Sequence, residues 1–242
     1  MKIRVVLVEP EKQGNIGGIA RVMKNFGLKE LYLVNPKDQL GEEARAYASH
    51  AVDILESAII VDDLSKALKG VNYIVGTTSK VGKSPSNLRR ITLFPEALAE
   101  RLVNAPRGVT AILFGRESIG LLNRELELCD VVVTIPANPQ YPVLNVVNAA
   151  AIIFYELYKV AKEAGKVSYS RPADRMVVDV ALKHFENLMA ASGLKGSRLR
   201  LTVNALKNIL GRSFISSREA SLLAGGFRKA LLKLSSNNAK HH

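Results

Sequence analysis

Six short runs of consecutive apolar, largely β-branched residues punctuate the first two thirds of the chain: Ile3 to Val8, Leu31 to Val34, Ile59 to Val61, Tyr73 to Gly76, Val109 to Phe114 and Val131 to Ile135. An unbroken apolar run, unlike an alternating one, describes a strand buried on both faces. Helix candidates lie between them: Ile16 to Phe26, Leu64 to Lys69 behind the capping pair Asp62 and Asp63, and Pro95 to Val103 with proline in its first turn. The order β-α-β-α with doubly buried strands predicts an α/β fold, a mostly parallel, doubly wound sheet. A long run from Asn145 to Ala164 keeps Val147, Ala151, Phe154 and Leu157 at helical spacing and closes this domain, residues 1–164. Its apolar face is wider than one edge helix needs, which points to a partner.

The polar stretch Gly165 to Pro172 reads as a linker, and residues 173–242 as a small all-helical module. Helices are expected near Ala173 to Ala191, Leu199 to Leu210 and Ser216 to Leu234, with breaks at Gly193, Gly196, Gly211 and the pair Gly225 and Gly226. Charge divides along the same line. Residues 161–242 hold 15 basic and 5 acidic side chains, a net of +10 out of +12 for the whole chain. A nearly neutral body with a basic appendage suits a polyanion, most economically a nucleic acid. Arg198, Arg200, Arg228 and Lys229 are the candidate contacts. The terminal His241 and His242 resemble the end of a purification tag and are left aside.

Several classes are excluded. The single cysteine, Cys129, forms no internal disulfide, and the four histidines show no metal-ligand spacing, so no metal is expected. The first apolar run stops at Glu9 and Pro10, far short of the roughly 20 residues of a membrane span. A cytoplasmic chain without a membrane partner is the expectation.

Ligands of open α/β sheets sit where loops leave the carboxyl ends of strands. Four such loops are rich in signal. Gly14-Asn15-Ile16-Gly17-Gly18-Ile19-Ala20-Arg21 opens a helix with small residues and sets Arg21 and Asn25 on one face. Its glycine spacing is not that of a dinucleotide fingerprint, and the second strand ends in Asn35 where an acid would be needed. Thr77-Thr78-Ser79 leads into a long loop dense in cations, Lys80, Lys83 and Arg89 among them, suited to phosphate. Gly115-Arg116-Glu117-Ser118-Ile119-Gly120 follows the fifth run. Ile135-Pro136-Ala137-Asn138-Pro139-Gln140-Tyr141-Pro142-Val143-Leu144-Asn145 follows the sixth, stiffened by three prolines.

Taken in order, N-I-G-G-I-A-R, G-R-E-S-I-G-L and I-P-A-N-P-Q-Y-P-V-L-N resemble the three motifs of the SPOUT superfamily of methyltransferases, within it the TrmJ-type tRNA ribose 2′-O-methyltransferases, over about residues 3–160. The resemblance implies a deep C-terminal trefoil knot in the α/β domain and S-adenosylmethionine as cofactor. It places Thr77, Thr78, Ser79, Gly115, Glu117, Gly120, Ile135, Val143, Leu144 and Asn145 at that cofactor, with Arg21 and Asn15 as catalytic residues. It implies a homodimer whose Arg21 serves the partner's pocket. The implied reaction is transfer of a methyl group to a cytidine or uridine ribose of tRNA, at nucleotide 32 of the anticodon loop. The third motif departs from the pattern: Val143 stands where relatives carry a serine. Lys80, with Lys83 and Arg89, stands in for a loop arginine. For Glu117 the residues alone also allow a purely structural role, pairing with backbone donors or with Arg116 to fix the turn. Two other readings stay open at this point, ribose methylation of ribosomal RNA and a non-catalytic RNA-binding subunit.

Overall fold

The computed structural model describes residues 2–79, 92–163 and 172–238. Seven strands form one sheet: β1 (Lys2–Val8), β2 (Glu30–Val34), β3 (Ile59–Val61), β4 (Tyr73–Thr77), β5 (Thr92–Leu93), β6 (Val109–Phe114) and β7 (Val131–Val133). They lie in the order β3-β2-β1-β6-β4-β7-β5, and every pairing is parallel. The expected sheet is therefore present, parallel throughout the described residues. The run that begins at Val131 stops as a strand at Val133, two residues short of the expected end.

Alternation along each strand sends side chains to two cores. Ile3, Val5 and Leu7 join Ile112, Phe114, Val75 and Val133 on one face. That face is covered by α1 (Gln13–Asn25), α2 (Glu42–Ala48), α3 (Val52–Glu56), α5 (Pro95–Asn104) and α7 (Val146–Glu163). Val6, Val8, Ala111 and Val132 face the other way, beneath α4 (Leu64–Ala67) and α6 (Asn123–Leu126). Asp63 caps α4 by accepting from the Ser65 amide at 2.7 Å.

Three helices form the C-terminal module: α8 (Arg175–Ala191), α9 (Gly196–Ser213) and α10 (Ser217–Asn238). Ala173, Leu210, Ile215 and Ala220 give them a small core of their own. Two expected breaks are corrected here. Gly211 lies inside α9, and Gly225 and Gly226 lie inside α10. Gly211 is held there by packing, since a Cβ would stand 2.6 Å from the Asp130 carbonyl oxygen. Gly193 and Gly196 do mark the α8–α9 turn, at φ 99° and 59°. Of the expected linker, only Pro172 lies within the described residues; it bridges to Ser216.

Candidate active site at the carboxyl ends of the strands

Because the strands are parallel, the loops that leave β1, β4, β6 and β7 emerge on one edge of the sheet. The chain reverses direction across the sheet between β1 and β6, the usual place for a crevice. There the loop after β6 folds tightly on itself. The Gly120 amide donates to the Arg116 carbonyl at 2.8 Å, and Gly120 takes φ 71°. A Cβ on Gly115 would lie 2.1 Å from the Gly120 carbonyl carbon, so only glycine closes this turn.

Arg116 points into the protein and is 7% exposed. Its guanidinium meets Glu125 through two parallel contacts of 2.9 and 3.0 Å, and Glu9 through Nε at 2.9 Å. These carboxylates push its pKa far above the ordinary arginine value, Glu125 most strongly. In return the Arg116 hydrogen bond holds Glu9 below the usual carboxylate range. Glu9 has the left-handed φ of 47°, which turns the chain out of β1. Sequence reasoning missed this triad; the acid that ends the first apolar run is its trace.

Glu117 faces the other way, onto the start of α1. Its carboxylate accepts from the Glu11 amide at 2.8 Å, the Lys12 amide at 3.3 Å and Asn15 Nδ2 at 2.8 Å. The Lys12 amide is an end group at the N-cap of α1, where negative charge is favoured, and the Glu11 amide immediately precedes it. Glu11 answers by accepting from Ser118 Oγ at 2.7 Å and its amide at 3.0 Å, and the Ser118 hydroxyl holds its carboxyl below the usual range. Asn15 Oδ1 accepts in turn from Asn145 Nδ2 at 3.2 Å, while Asn145 Oδ1 takes the Val147 amide at the start of α7. One web of side chains thus joins the first, second and third motifs. Glu117 pairs with backbone donors, and its neighbour Arg116 is engaged elsewhere.

The glycines of the first motif have a packing reason. A Cβ on Gly17 would meet the Ala44 carbonyl of α2 at 2.1 Å, and one on Gly18 would meet Val147 of α7 at 2.9 Å. They let α1 sit close to both neighbours and so bring Asn15 to Asn145.

Thr77 Oγ1 donates to the Leu113 carbonyl at 2.9 Å, and the Thr78 amide to the Val133 carbonyl at 2.9 Å. The two hydroxyl residues therefore begin their loop beside the ends of β6 and β7, with Ser79 exposed. Ile135 and Leu144 are half-buried, whereas Ile119, Tyr141 and Val143 are exposed at 64%, 80% and 56%. Hydroxyls, glycine backbone and apolar side chains on one edge fit an adenosine-bearing cofactor: polar groups for sugar and base edges, apolar ones for the ring faces. The nearby carboxylates of Glu9, Glu11 and Glu117 are already occupied.

Arg21 lies outside the web, exposed on α1 and without a polar partner among the described residues. Arg198, Arg200, Arg228 and Lys229 are all exposed on α9 and α10. Lys80, Lys83 and Arg89 lie outside the described residues. Among those described, no His, Cys, Asp or Glu cluster is placed to hold a metal, and no helix is long and apolar enough to cross a membrane.

Residues 2–155 match the profile of the SpoU rRNA methylase family. The tRNA (cytidine-2′-O-)-methyltransferase TrmJ of Methanocaldococcus jannaschii is 33% identical over 93% of this chain and 98% of its own length. The tRNA (cytidine/uridine-2′-O-)-methyltransferase TrmJ of Pectobacterium atrosepticum is 35% identical over 92% of this chain and 94% of its own. Among solved structures, TrmJ from Zymomonas mobilis superimposes with a TM-score of 0.70 at 27% identity, covering 95% of this chain and 99% of that one.

Proposed function

The chain belongs to the SpoU rRNA methylase family, and from that premise we propose that it is a tRNA ribose 2′-O-methyltransferase that uses S-adenosylmethionine and acts on cytidine or uridine at nucleotide 32 of the anticodon loop. The observation that carries the reading is the web Glu117–Asn15–Asn145, which gathers the three motif loops on one edge of the sheet. The relatives similar over more than nine tenths of the chain are named for tRNA, which favours tRNA over the ribosomal substrate in the family's description.

When bound, S-adenosylmethionine supplies an electrophilic methyl group on a sulfonium. Thr77, Thr78, Ser79, Gly115, Gly120, Ile135, Val143 and Leu144 are the residues that would hold it, in a knot threaded through the same loops. The web ties the loops of the second and third motifs to the start of α1, so the residues there that would hold the donor are positioned in advance. Ile119, Val143 and Leu144 line this edge with apolar surface that would exclude water once donor and substrate cover it. Arg21 acts through the positive charge of its guanidinium. Its charge steadies the developing alkoxide and a neighbouring phosphate.

Arg21 performs this role across a homodimer, at the partner's pocket. The lack of a polar partner for Arg21 among the described residues supports that arrangement, as does the outer face of α7, where Ile152, Tyr155 and Tyr158 are 38%, 52% and 43% exposed and the two tyrosines meet Phe26 at the end of α1. Incubation of the protein and labelled S-adenosylmethionine with unmodified tRNA and, in parallel, with unmodified ribosomal RNA, followed by nucleoside mapping, is the test. Label in 2′-O-methylated nucleotide 32 is expected. Label only in ribosomal RNA, or none, would overturn the reading.

A further inference from the structure

The helical module is seated on the sheet far from the motif loops, at the opposite ends of two strands that carry them. β4 begins at Tyr73 and ends at Thr77, next to Thr78, while β7 begins at Val131 and ends at Val133, two residues before Ile135. Asp130 stands just before β7. Its carboxylate accepts from the Ile74 amide at 2.7 Å, and its own amide donates to the Ile74 carbonyl at 2.8 Å. Both polar groups of Ile74 are thus engaged by one residue, one step ahead of the ladder Val75↔Val131, Gly76↔Val132 and Thr77↔Val133. The ladder ends where the Thr78 amide meets the Val133 carbonyl.

The charge that makes this anchor is satisfied from the module. Arg175 of α8 donates to Asp130 Oδ2 at 2.7 Å and to the Leu128 carbonyl at 3.0 Å. The Asp130 side chain is only 11% exposed, and burial pushes its pKa up against the pull of Arg175 and the Ile74 amide. Gly211 of α9 packs its backbone directly on Asp130, and Lys207 donates to the Glu127 carbonyl. Next door, Phe214 meets Tyr73 edge-on at 4.7 Å. A carboxylate so enclosed, robbed of its cation, either takes up a proton or turns toward water, and both weaken its hold on Ile74.

We propose that Asp130 is a positioning residue through which docking of the helical module fixes the register of β4 on β7, and with it the loops at Thr77–Ser79 and Ile135–Asn145 that hold the methyl donor. The proposal rests on the functional reading above for the identity of that donor, but the strand register is a property of the protein itself. A slipped pairing would turn every side chain of β4 to the other face. The module is therefore more than an RNA grip: donor affinity depends on it.

Amide hydrogen exchange at Thr78 and calorimetric titration with S-adenosylmethionine test this on the full chain. In Arg175→Met, donor affinity falls by about tenfold, as when the competent state drops to one tenth of the population, and exchange at Thr78 speeds up by more than tenfold, because the open state from which the amide exchanges then dominates. Arg175→Met combined with Asp130→Asn brings both back toward the parent, because the neutral amide still accepts from Ile74 and needs no cation. Should Arg175→Met fold poorly, Arg175→Lys keeps the charge and gives the same changes at smaller size. Parent values of Thr78 exchange and affinity in the folded Arg175 variants, or no recovery in the double variant, overturn the proposal. If the parent itself binds no S-adenosylmethionine, the functional reading fails while exchange at Thr78 still decides the register.

Discussion

Asn15 and Asn145, 130 residues apart in the chain, are joined side chain to side chain at 3.2 Å. The other end of the Asn15 amide donates to Glu117 at 2.8 Å. A primary amide is the group that accepts from one neighbour while donating to the other, which a carboxylate or an alkyl side chain does not do.

Asn15→Ala removes two hydrogen bonds, each worth about 1 kcal/mol net, so a loss of roughly 2 kcal/mol in unfolding free energy is expected. Asn15→Asp has nearly the same volume but sets a carboxylate against Glu117. It should destabilise more than alanine at neutral pH and recover on acidification. Denaturant unfolding at two pH values checks both; equal losses for the two variants would mean the site responds to volume and not to the hydrogen-bond pattern.

How much of this was legible in advance follows from sequence separation. The six apolar runs became β1 to β4, β6 and β7, since burial on both faces leaves a local signature. β5 escaped because Thr92 and Leu93 are only two residues, and α2 because it buries alanines, Ala44 and Ala48, which draw no apolar stripe. The motif loops were visible as loops, yet nothing local joins Glu9 to Arg116 across 107 positions. Gly225 and Gly226 looked like breaks, and lie in α10 because the packing of α10 on α8, with Ala220 fully buried, outweighs their weak propensity.

Those two glycines can be improved. Nothing lies within 4 Å of a Cβ at either position, and neither has positive φ. Gly226→Ala should stabilise the module by about 0.5–1 kcal/mol, through lower backbone entropy in the unfolded chain. Gly115→Ala, by contrast, forces the second motif open and should abolish binding of S-adenosylmethionine. Thermal melts and ligand titration read the two opposite signs.

The contact between Glu11 and Ser118 responds to pH in a fixed direction. The Glu11 pKa is lowered in the folded state, chiefly by the Ser118 hydroxyl. Its contribution is therefore complete above the ordinary carboxylate pKa and fades as pH falls through the lower folded value. The Ser118 amide resonance should titrate below the usual carboxylate range, and Ser118→Ala should move the Glu11 midpoint upward toward it. A Glu11 midpoint at its ordinary value in the parent would disprove the clasp in solution.

Arg21→Ala should lower turnover by about 100-fold or more, the usual effect of losing one preorganised electrostatic group. Affinity for S-adenosylmethionine should stay within a few-fold, because Arg21 touches no part of the web. Mixed dimers sharpen the test. An Arg21→Ala chain paired with a Gly115→Ala chain regains about one working site per dimer if Arg21 acts across the two-fold. No recovery in mixtures shown to exchange subunits would place Arg21 at its own chain's pocket.

The basic charge of the helical module is most one-sided on α9, which carries Arg198, Arg200, Lys207 and Arg212 and no acidic residue, an arrangement suited to phosphates. Removing the module outright confounds two effects, since it also withdraws Arg175 from Asp130 and Phe214 from Tyr73. Charge reversal is the cleaner experiment: Arg198, Arg200, Arg228 and Lys229 are all exposed. Every phosphate that a variant no longer neutralises should lower the slope of log affinity against log salt by roughly 0.7–0.9. Arg198→Glu with Arg200→Glu should thus weaken tRNA binding most at low salt, flatten the slope by about 1.5, and leave affinity for S-adenosylmethionine at the parent value. Unchanged tRNA binding at every salt concentration would make the positive charge a solvated surface and leave docking on the sheet as the module's whole task.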